Sequence, residues 1–158
     1  MKYQIKADLC PQCAAFLSEK FPRIEFRHLQ YIRVCDSTKS FVTAGVWGSC
    51  SYPSKKANVD YRICFCVSLS SSDFPYPAKF AIGTRRFDAM RWEWFWRDDQ
   101  FHTLEEAFVW IAGHEAFHGL PPSRSIPSRN SETQANRFGF TWLDEWRALA
   151  ATSEGRIK

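Results

Sequence analysis

Residues 103–119 read Thr-Leu-Glu-Glu-Ala-Phe-Val-Trp-Ile-Ala-Gly-His-Glu-Ala-Phe-His-Gly. Apolar residues recur in this stretch at steps of three and four, the spacing of one face of an α-helix. Thr103 and Glu106 fit a capping box, which begins a helix. Gly119 and the two prolines that follow it end one. The pattern therefore predicts a helix between Thr103 and Gly119.

Two histidines on this helix, His114 and His118, are four residues apart. That spacing puts both on one face, one turn apart, where each can place an imidazole nitrogen on a single zinc ion. Glu115 would lie close to the metal without binding it, where it could take a proton from zinc-bound water. The alternative is a solvent-facing amphipathic helix that carries two incidental histidines.

A third zinc ligand is predicted in the segment Ser131-Glu132-Thr133-Gln134-Ala135-Asn136. Ser131 and Gln134 fit a second capping box, so Glu132 is expected at the start of a helix that folds back across the first. Asn136, one turn further, could accept the free ring N–H of a ligating histidine. Two alternatives are that Glu132 is simply an acidic residue favoured by the helix dipole, or that the ligand is a carboxylate further along, Asp144 or Glu145.

His114-Glu115-Ala116-Phe117-His118 followed by Glu132 and Asn136 resembles the gluzincin metallopeptidases of the thermolysin-like clan. The sequence of residues 132–138 resembles the glutamate helix of ImmA/IrrE-type peptidases. The order of secondary-structure elements resembles that of compact SprT-like peptidases. The chain departs from the clan in having Asn136 where an Asp is usual. It also lacks the further histidine of the first group and the downstream C-x-x-C of the second. The resemblance covers about residues 100–150 and implies a zincin-like fold.

The function expected from this resemblance is a zinc-dependent metalloendopeptidase with Zn²⁺ as cofactor and a protein or peptide as substrate. Zinc-bound water activated by Glu115 would attack the peptide carbonyl, and Glu115 would then protonate the leaving amine. A further donor usually stabilises the oxyanion. The residues considered for that role are His102, Tyr76, Arg124 and Arg129.

The rest of the chain is expected to supply a short N-terminal helix and a sheet. Residues 9–20 fit the helix, with a proline in its first turn. Strand-like alternation or β-rich composition marks the segments 24–33, 41–50, 59–69, 79–83 and 88–96. We therefore predict an α+β fold with a mostly antiparallel sheet. One domain is expected over 1–158, sheet-rich over 1–98 and carrying the zinc-site helices over 103–151.

Three tryptophans in the last predicted strand, Trp92, Trp94 and Trp96, share one parity. This arrangement is typical of a strand that covers an apolar surface, and core packing is the role predicted for most of them. The same strand, if it lies beside the active helix, could present an edge to an extended substrate.

The six cysteines all lie within the first 66 residues. Cys10 and Cys13 have the spacing of half a zinc knuckle, and Cys64 and Cys66 could complete a structural metal site. A redox-active pair, a disulfide or simple burial are the alternatives.

The net charge of +4 is spread along the chain, which argues against nucleic acid or a membrane surface as the main partner. The first residues lack the apolar run of a signal peptide, and no apolar run reaches membrane-spanning length, so a cytoplasmic setting is expected. Two alternative functions are a non-catalytic binding module on a zinc scaffold and a nucleic-acid-associated protein with a cysteine zinc site. The sequence is silent on oligomeric state.

Overall fold

A computed structural model describes the backbone of residues 2–6, 9–23, 29–35, 46–51, 61–67, 74–120 and 128–154. Side chains are described for residues 9–22, 74–120 and 131–152. In these ranges there are six strands and three α-helices, which confirms the α+β class. The strands are β1 (Lys2–Lys6), β2 (Leu29–Cys35), β3 (Val46–Ser51), β4 (Tyr61–Val67), β5 (Tyr76–Arg86) and β6 (Trp92–Phe101). The helices are α1 (Pro11–Lys20), α2 (Leu104–Gly119) and α3 (Ser128–Glu154), and a 3-10 turn, Phe21–Arg23, follows α1.

The strands form two sheets rather than one mostly antiparallel sheet. Four strands lie in the order β1-β2-β4-β3, and β5 pairs with β6 in an antiparallel hairpin. In the larger sheet β1 pairs with β2 and β2 with β4 in parallel, and β3 alone is antiparallel. The antiparallel prediction is therefore wrong for this sheet. The sequence prediction did not include β1. Because β1 is present and pairs in parallel with β2, α1 is part of the crossover connection between these two strands.

The tryptophans of β6 are exposed, contrary to the prediction that most of them pack in the core. The exposed fractions are 37% for Trp92, 43% for Trp94 and 54% for Trp96. On the opposite parity only the end of the strand is covered: Arg97 bonds to Asp144 of α3 and Phe101 is buried, whereas Phe95 is 40% exposed. Alternation correctly groups the three tryptophans on one face, but it does not say which face is covered.

Helix α2 is the centre of the described structure. It packs against β3 and β4 of the larger sheet and against α3, and every residue from Glu106 to Gly119 is buried. A helix covered all round needs no polar face. The alternative of a solvent-facing amphipathic helix is therefore wrong, and His114 and His118 are each only 9% exposed.

Two glycines allow α2 and α3 to approach closely. A Cβ placed on Gly139 of α3 would lie 2.7 Å from the backbone oxygen of Trp110 on α2. A Cβ on Gly113 of α2 would lie 3.0 Å from the Cα of Gly139. Real Cβ atoms essentially never come as close as 2.7 Å to another atom, and 3.0 Å is a tight contact, so the close crossing depends on glycine, above all at position 139.

An ion-pair cluster around Arg147 joins α3, α2 and the β5–β6 hairpin. The Arg147 guanidinium donates to both carboxylate oxygens of Glu106 at 3.0 and 2.8 Å. Its other nitrogen donates to Asp99 of β6 at 3.0 Å. Glu106 also accepts the backbone N–H of His102, so its side chain does not close the capping box on Thr103. Thr103 nevertheless caps α2 as predicted, by accepting from the Glu106 N–H.

None of the helices in the described ranges is long and apolar enough to cross a membrane.

Candidate metal centre

His114 and His118 face each other across one turn of α2. Their Nε2 atoms are 3.2 Å apart, and the ring centroids are separated by 4.9 Å. The spacing of four residues on a straight helix brings the two rings together, as the sequence suggests.

Asn136 of α3 orients the His114 ring. The Asn136 side-chain nitrogen donates to the backbone carbonyl of Ala81 on β5 at 2.8 Å. A carbonyl can only accept, so this bond decides which end of the amide is oxygen. The Oδ1 atom lies 2.9 Å from His114 Nδ1, and the proton between them must be on the histidine. His114 Nε2 is therefore left with its lone pair, the form that a metal ligand requires.

Glu132 brings a carboxylate to the two histidines. Its Oε1 lies 3.3 Å from His118 Nε2, and its Oε2 lies 3.6 Å from His114 Nε2. The ligand atoms of the three side chains are all within 4.8 Å of one another. In the part of the chain with described side chains, this is the one group of three or more such residues that could hold a metal ion.

The start of α3 differs from the prediction. The helix begins at Ser128, so Ser131 lies inside it and is not its N-cap. The Ser131 hydroxyl instead lies 3.5 Å from His118 Nδ1. Glu132 is the fifth residue of α3 and lies beyond its first turn. The helix dipole acts most strongly on a carboxylate within the first turn. The dipole is therefore a weak reason for a glutamate here.

Burial keeps both histidines neutral. It lowers the pKa of His114 to about 4, and the charge of His118 adds to that effect while the bond to Asn136 opposes it. Burial also lowers the pKa of His118, against the opposing charge of Glu132. Neutral imidazoles are the form that binds metal ions. Neither ring therefore carries a positive charge that would repel a metal ion at neutral pH.

Glu115 is the buried carboxyl group next to this cluster, with only 4% of the residue exposed. Burial, together with the negative charge of Glu132, raises its pKa to about 8. Its Oε2 atom has no hydrogen-bond partner among the described residues. An unpaired buried carboxyl oxygen is costly and calls for an explanation in function or in a missing ligand.

The alternative third ligands are engaged elsewhere. Asp144 receives two bonds from Arg97, at 2.8 and 2.6 Å, and Glu145 pairs with Lys20 of α1. The Asp144 side chain therefore contacts the β5–β6 hairpin, and the Glu145 side chain contacts α1. The structure brings Glu132, and not these two, to the histidines.

Of the four residues proposed for the oxyanion, the structure describes the side chains of His102 and Tyr76, and neither lies at the cluster. His102 precedes α2 and lies about twelve residues from His114, or about 18 Å of helix rise. Tyr76 packs against the hydrophobic core at the open end of the hairpin. Arg124 and the side chain of Arg129 lie outside the described residues.

Of the four cysteines considered together, the structure describes the side chains of two. Cys10 and Cys13 are free thiols at the start of α1. Cys64 and Cys66 lie on β4, and their side chains are outside the described residues. The four-cysteine metal site therefore stays a prediction.

Two parts of the centre were not identified from the sequence. The Ala81 carbonyl orients Asn136, although the two residues are 55 positions apart. Gly139 allows α3 to approach α2 and lies seven residues after Glu132, on the same side of the helix. A glycine in the middle of a helical pattern is the signal that could have pointed to the crossing.

Comparison of the chain with protein-family models, with curated proteins and with solved structures finds no match.

Proposed function

We propose that the chain is a zinc-dependent metalloendopeptidase with a zincin-like fold of the gluzincin type. His114, His118 and Glu132 would hold the zinc ion, and Glu115 would act as general base. The observation that carries the proposal is the convergence of these three ligand atoms beside a buried glutamate. The resemblance of the motif in residues 114–118 and of Glu132 to gluzincins points the same way.

The distances within the cluster suit zinc. Two atoms bound tetrahedrally at about 2.0–2.1 Å lie about 3.3–3.5 Å apart. The Nε2 atoms of His114 and His118 are 3.2 Å apart, and the closer Glu132 contact is 3.3 Å. Two imidazoles and one carboxylate form a common set of catalytic zinc ligands, which leaves a fourth position for water or substrate.

The exposure of the cluster supports a reaction with an outside molecule. The Glu132 side chain is 63% exposed, whereas the side chains of the two histidines are only 11% exposed. The metal position would therefore be rigid on its histidine side and open on its glutamate side. An open position next to a fixed ligand set is typical of catalytic zinc and not of structural zinc.

The chemistry divides between the cofactor and the chain. Zinc, when bound, supplies a Lewis acid that acidifies water and polarises a peptide carbonyl. Glu115 accepts the proton of the attacking water at its carboxylate and transfers it to the nitrogen of the departing peptide. Asn136 keeps His114 in one tautomer and one orientation throughout.

Glu115 favours an enzyme over a non-catalytic zinc scaffold. A buried carboxyl group with an unpaired oxygen destabilises the folded chain. A scaffold needs the three ligands but has no use for this group. A general base does need it, since a raised pKa near neutrality suits proton transfer.

Strand β5, and not β6, is the strand beside the cluster, because Ala81 of β5 accepts from Asn136. Among the described strands β5 pairs only with β6. Its other edge could therefore pair with an extended peptide, which favours cleavage within a chain.

The proposal is tested by metal content and hydrolysis in single variants of the full chain. Glu115→Gln is expected to retain one zinc ion per chain and to lose hydrolysis of a fluorescence-quenched peptide mixture. His114→Ala and Glu132→Ala are expected to lose zinc. Glu105→Gln, a matched change ten residues earlier on the same helix, should behave as wild type. Hydrolysis at the wild-type rate in Glu115→Gln would overturn the catalytic assignment, and full zinc affinity in Glu132→Ala would overturn the ligand assignment.

A further inference from the structure

Two cysteines meet at the N-terminus of α1, outside the candidate metal centre. Cys10 caps this ten-residue helix, and Cys13 is in its first turn. The Cys13 backbone N–H donates to Cys10 Sγ, with a nitrogen–sulfur distance of 3.4 Å. Both thiols are free. The N-cap and the third helical residue are close enough for their side chains to be joined by a disulfide.

The two thiols differ in exposure. Cys10 is partly exposed, whereas Cys13 is completely buried. A disulfide arriving from solvent can reach the sulfur of Cys10 and not that of Cys13. This is the division between an attacking and a resolving thiol that a redox-active pair requires.

Burial reinforces the difference. Together with smaller contributions from the neighbouring Cys10 and Glu105, it raises the pKa of the Cys13 thiol to about 12. The Cys13 thiol therefore stays protonated as long as Cys10 has not reacted.

A metal ion is the competing ligand for a pair of thiols. A structural zinc site has four ligands. In the side chains that the structure describes, no third metal-binding residue groups with Cys10 and Cys13. The described surroundings of the pair therefore favour a disulfide.

We propose that Cys10 and Cys13 form a reversible disulfide by exchange with a low-molecular-weight disulfide such as glutathione disulfide. The Cys10 thiolate attacks one sulfur of the reagent, forms a mixed disulfide and releases one thiolate. Cys13 then gives its proton to solvent and attacks Cys10 Sγ, which displaces the second thiolate. The protein loses two hydrogens, and the reagent is reduced to two thiols. Excess thiol reverses the reaction.

The test uses the full wild-type chain in mixtures of reduced and oxidised glutathione. Trypsin cleavage after Lys6 and Lys20 gives a peptide, residues 7–20, whose only cysteines are Cys10 and Cys13. In oxidising mixtures this peptide should be about 2 Da lighter and resistant to alkylation, and reduction should restore both properties. In Cys13→Ser the mixed disulfide on Cys10 should accumulate. In Cys10→Ser the folded protein should take up no glutathione at Cys13.

Three results would overturn the proposal. The first is a peptide that takes two alkyl groups at every glutathione ratio when the protein is unfolded before alkylation. The second is Cys13 reacting faster than Cys10 with an alkylating reagent, where Cys10 is expected to be at least about tenfold faster. The third is that His114→Ala retains zinc and loses it when Cys10 is changed as well. This result would show that Cys10 and Cys13 belong to a metal site. Because the wild-type measurement needs no bound metal, its outcome is independent of the proposed peptidase function.

Discussion

His114 Nδ1 lies 2.9 Å from Asn136 Oδ1, so an amide on α3 determines how a histidine on α2 presents its other nitrogen. The same amide is held by Ala81 of β5. Three elements are thereby joined at one side chain that is not among the proposed metal ligands. Such outer contacts orient a ligand and hold its tautomer, and their loss weakens metal binding without removing a ligand.

We expect Asn136→Ala to weaken zinc binding about 10- to 100-fold, because His114 loses the acceptor of its Nδ1 proton. Competition with a chromogenic chelator measures the affinity. Gln134→Ala, at an exposed position on the same helix, is the matched control and should leave the affinity unchanged. Equal affinities in the two variants would show that Asn136 does not orient the ligand.

Asn136→Asp tests why an amide stands where gluzincins usually have an aspartate. An aspartate keeps an oxygen for His114 but places its second oxygen against the Ala81 carbonyl, where the Asn136 nitrogen now donates at 2.8 Å. We expect the metal-free variant to be less stable by about 1–3 kcal/mol, because two acceptors face each other. Urea unfolding of the metal-free proteins measures this, and an unchanged midpoint would contradict it.

Gly139→Ala is expected to destabilise the chain by about 1–3 kcal/mol. The new Cβ would meet the Trp110 backbone oxygen at 2.7 Å and the Trp110 indole nitrogen at 3.0 Å. Relief requires α3 to move away from α2, which also moves Glu132 from the histidines, so zinc affinity should fall together with stability. Thermal unfolding and chelator competition report the two effects. A variant more stable than wild type, as helix propensity alone would predict, would exclude this close crossing.

The metal-free protein should lose stability as the pH rises through 8. Its folded state raises the pKa of Glu115 from the ordinary 4.5 to about 8, so between these values the folded chain holds a proton that the unfolded chain has released. That contribution is fully present below pH 4.5 and is lost as the pH rises through 8. Its size is on the order of 5 kcal/mol, at about 1.4 kcal/mol per pKa unit.

Glu115→Gln isolates this effect, because the variant keeps the histidines. The lowered pKa of His114 changes the stability with pH in the opposite direction. Its contribution to stability is present above pH 6.5 and is lost as the pH falls towards 4. That contribution is common to both proteins and cancels in their difference. We expect Glu115→Gln to gain on wild type steadily from pH 5 to pH 8 in chelator-treated samples. A difference that does not change with pH would place Glu115 in water and not in the interior.

Arg147→Met should destabilise the chain by about 2–4 kcal/mol, because it leaves the Glu106 carboxylate without its counter-charge and leaves Asp99 with Arg97 as its one cationic partner among the described residues. The side chains of these two acids are only 11% and 16% exposed. Lys79→Met is the matched control. Its ion pair with Asp98 is more than half exposed on both sides and should be worth less than about 1 kcal/mol. Similar losses in the two variants, measured by urea unfolding, would contradict the assignment.

The candidate ligands could be named from the sequence because their signals are local. The His114–His118 spacing and the Thr103 cap depend on contacts within one or two helical turns. The direction of β2 against β1 and β4, and the exposed face of β6, depend on packing between distant segments. Alternation states that two faces differ and leaves open which one is covered.

Short-range periodicity in this chain is enough to predict the α+β class and the helix that carries both histidines. It also predicts that Glu132 and Asn136 lie one turn apart on the next helix. The approach of α3 at Gly139, the true start of that helix at Ser128 and the hold of Ala81 on Asn136 follow from how the elements pack. Periodicity is encoded over a few residues. The orientation of the Asn136 amide depends on a carbonyl 55 positions away, and folding alone brings the two together.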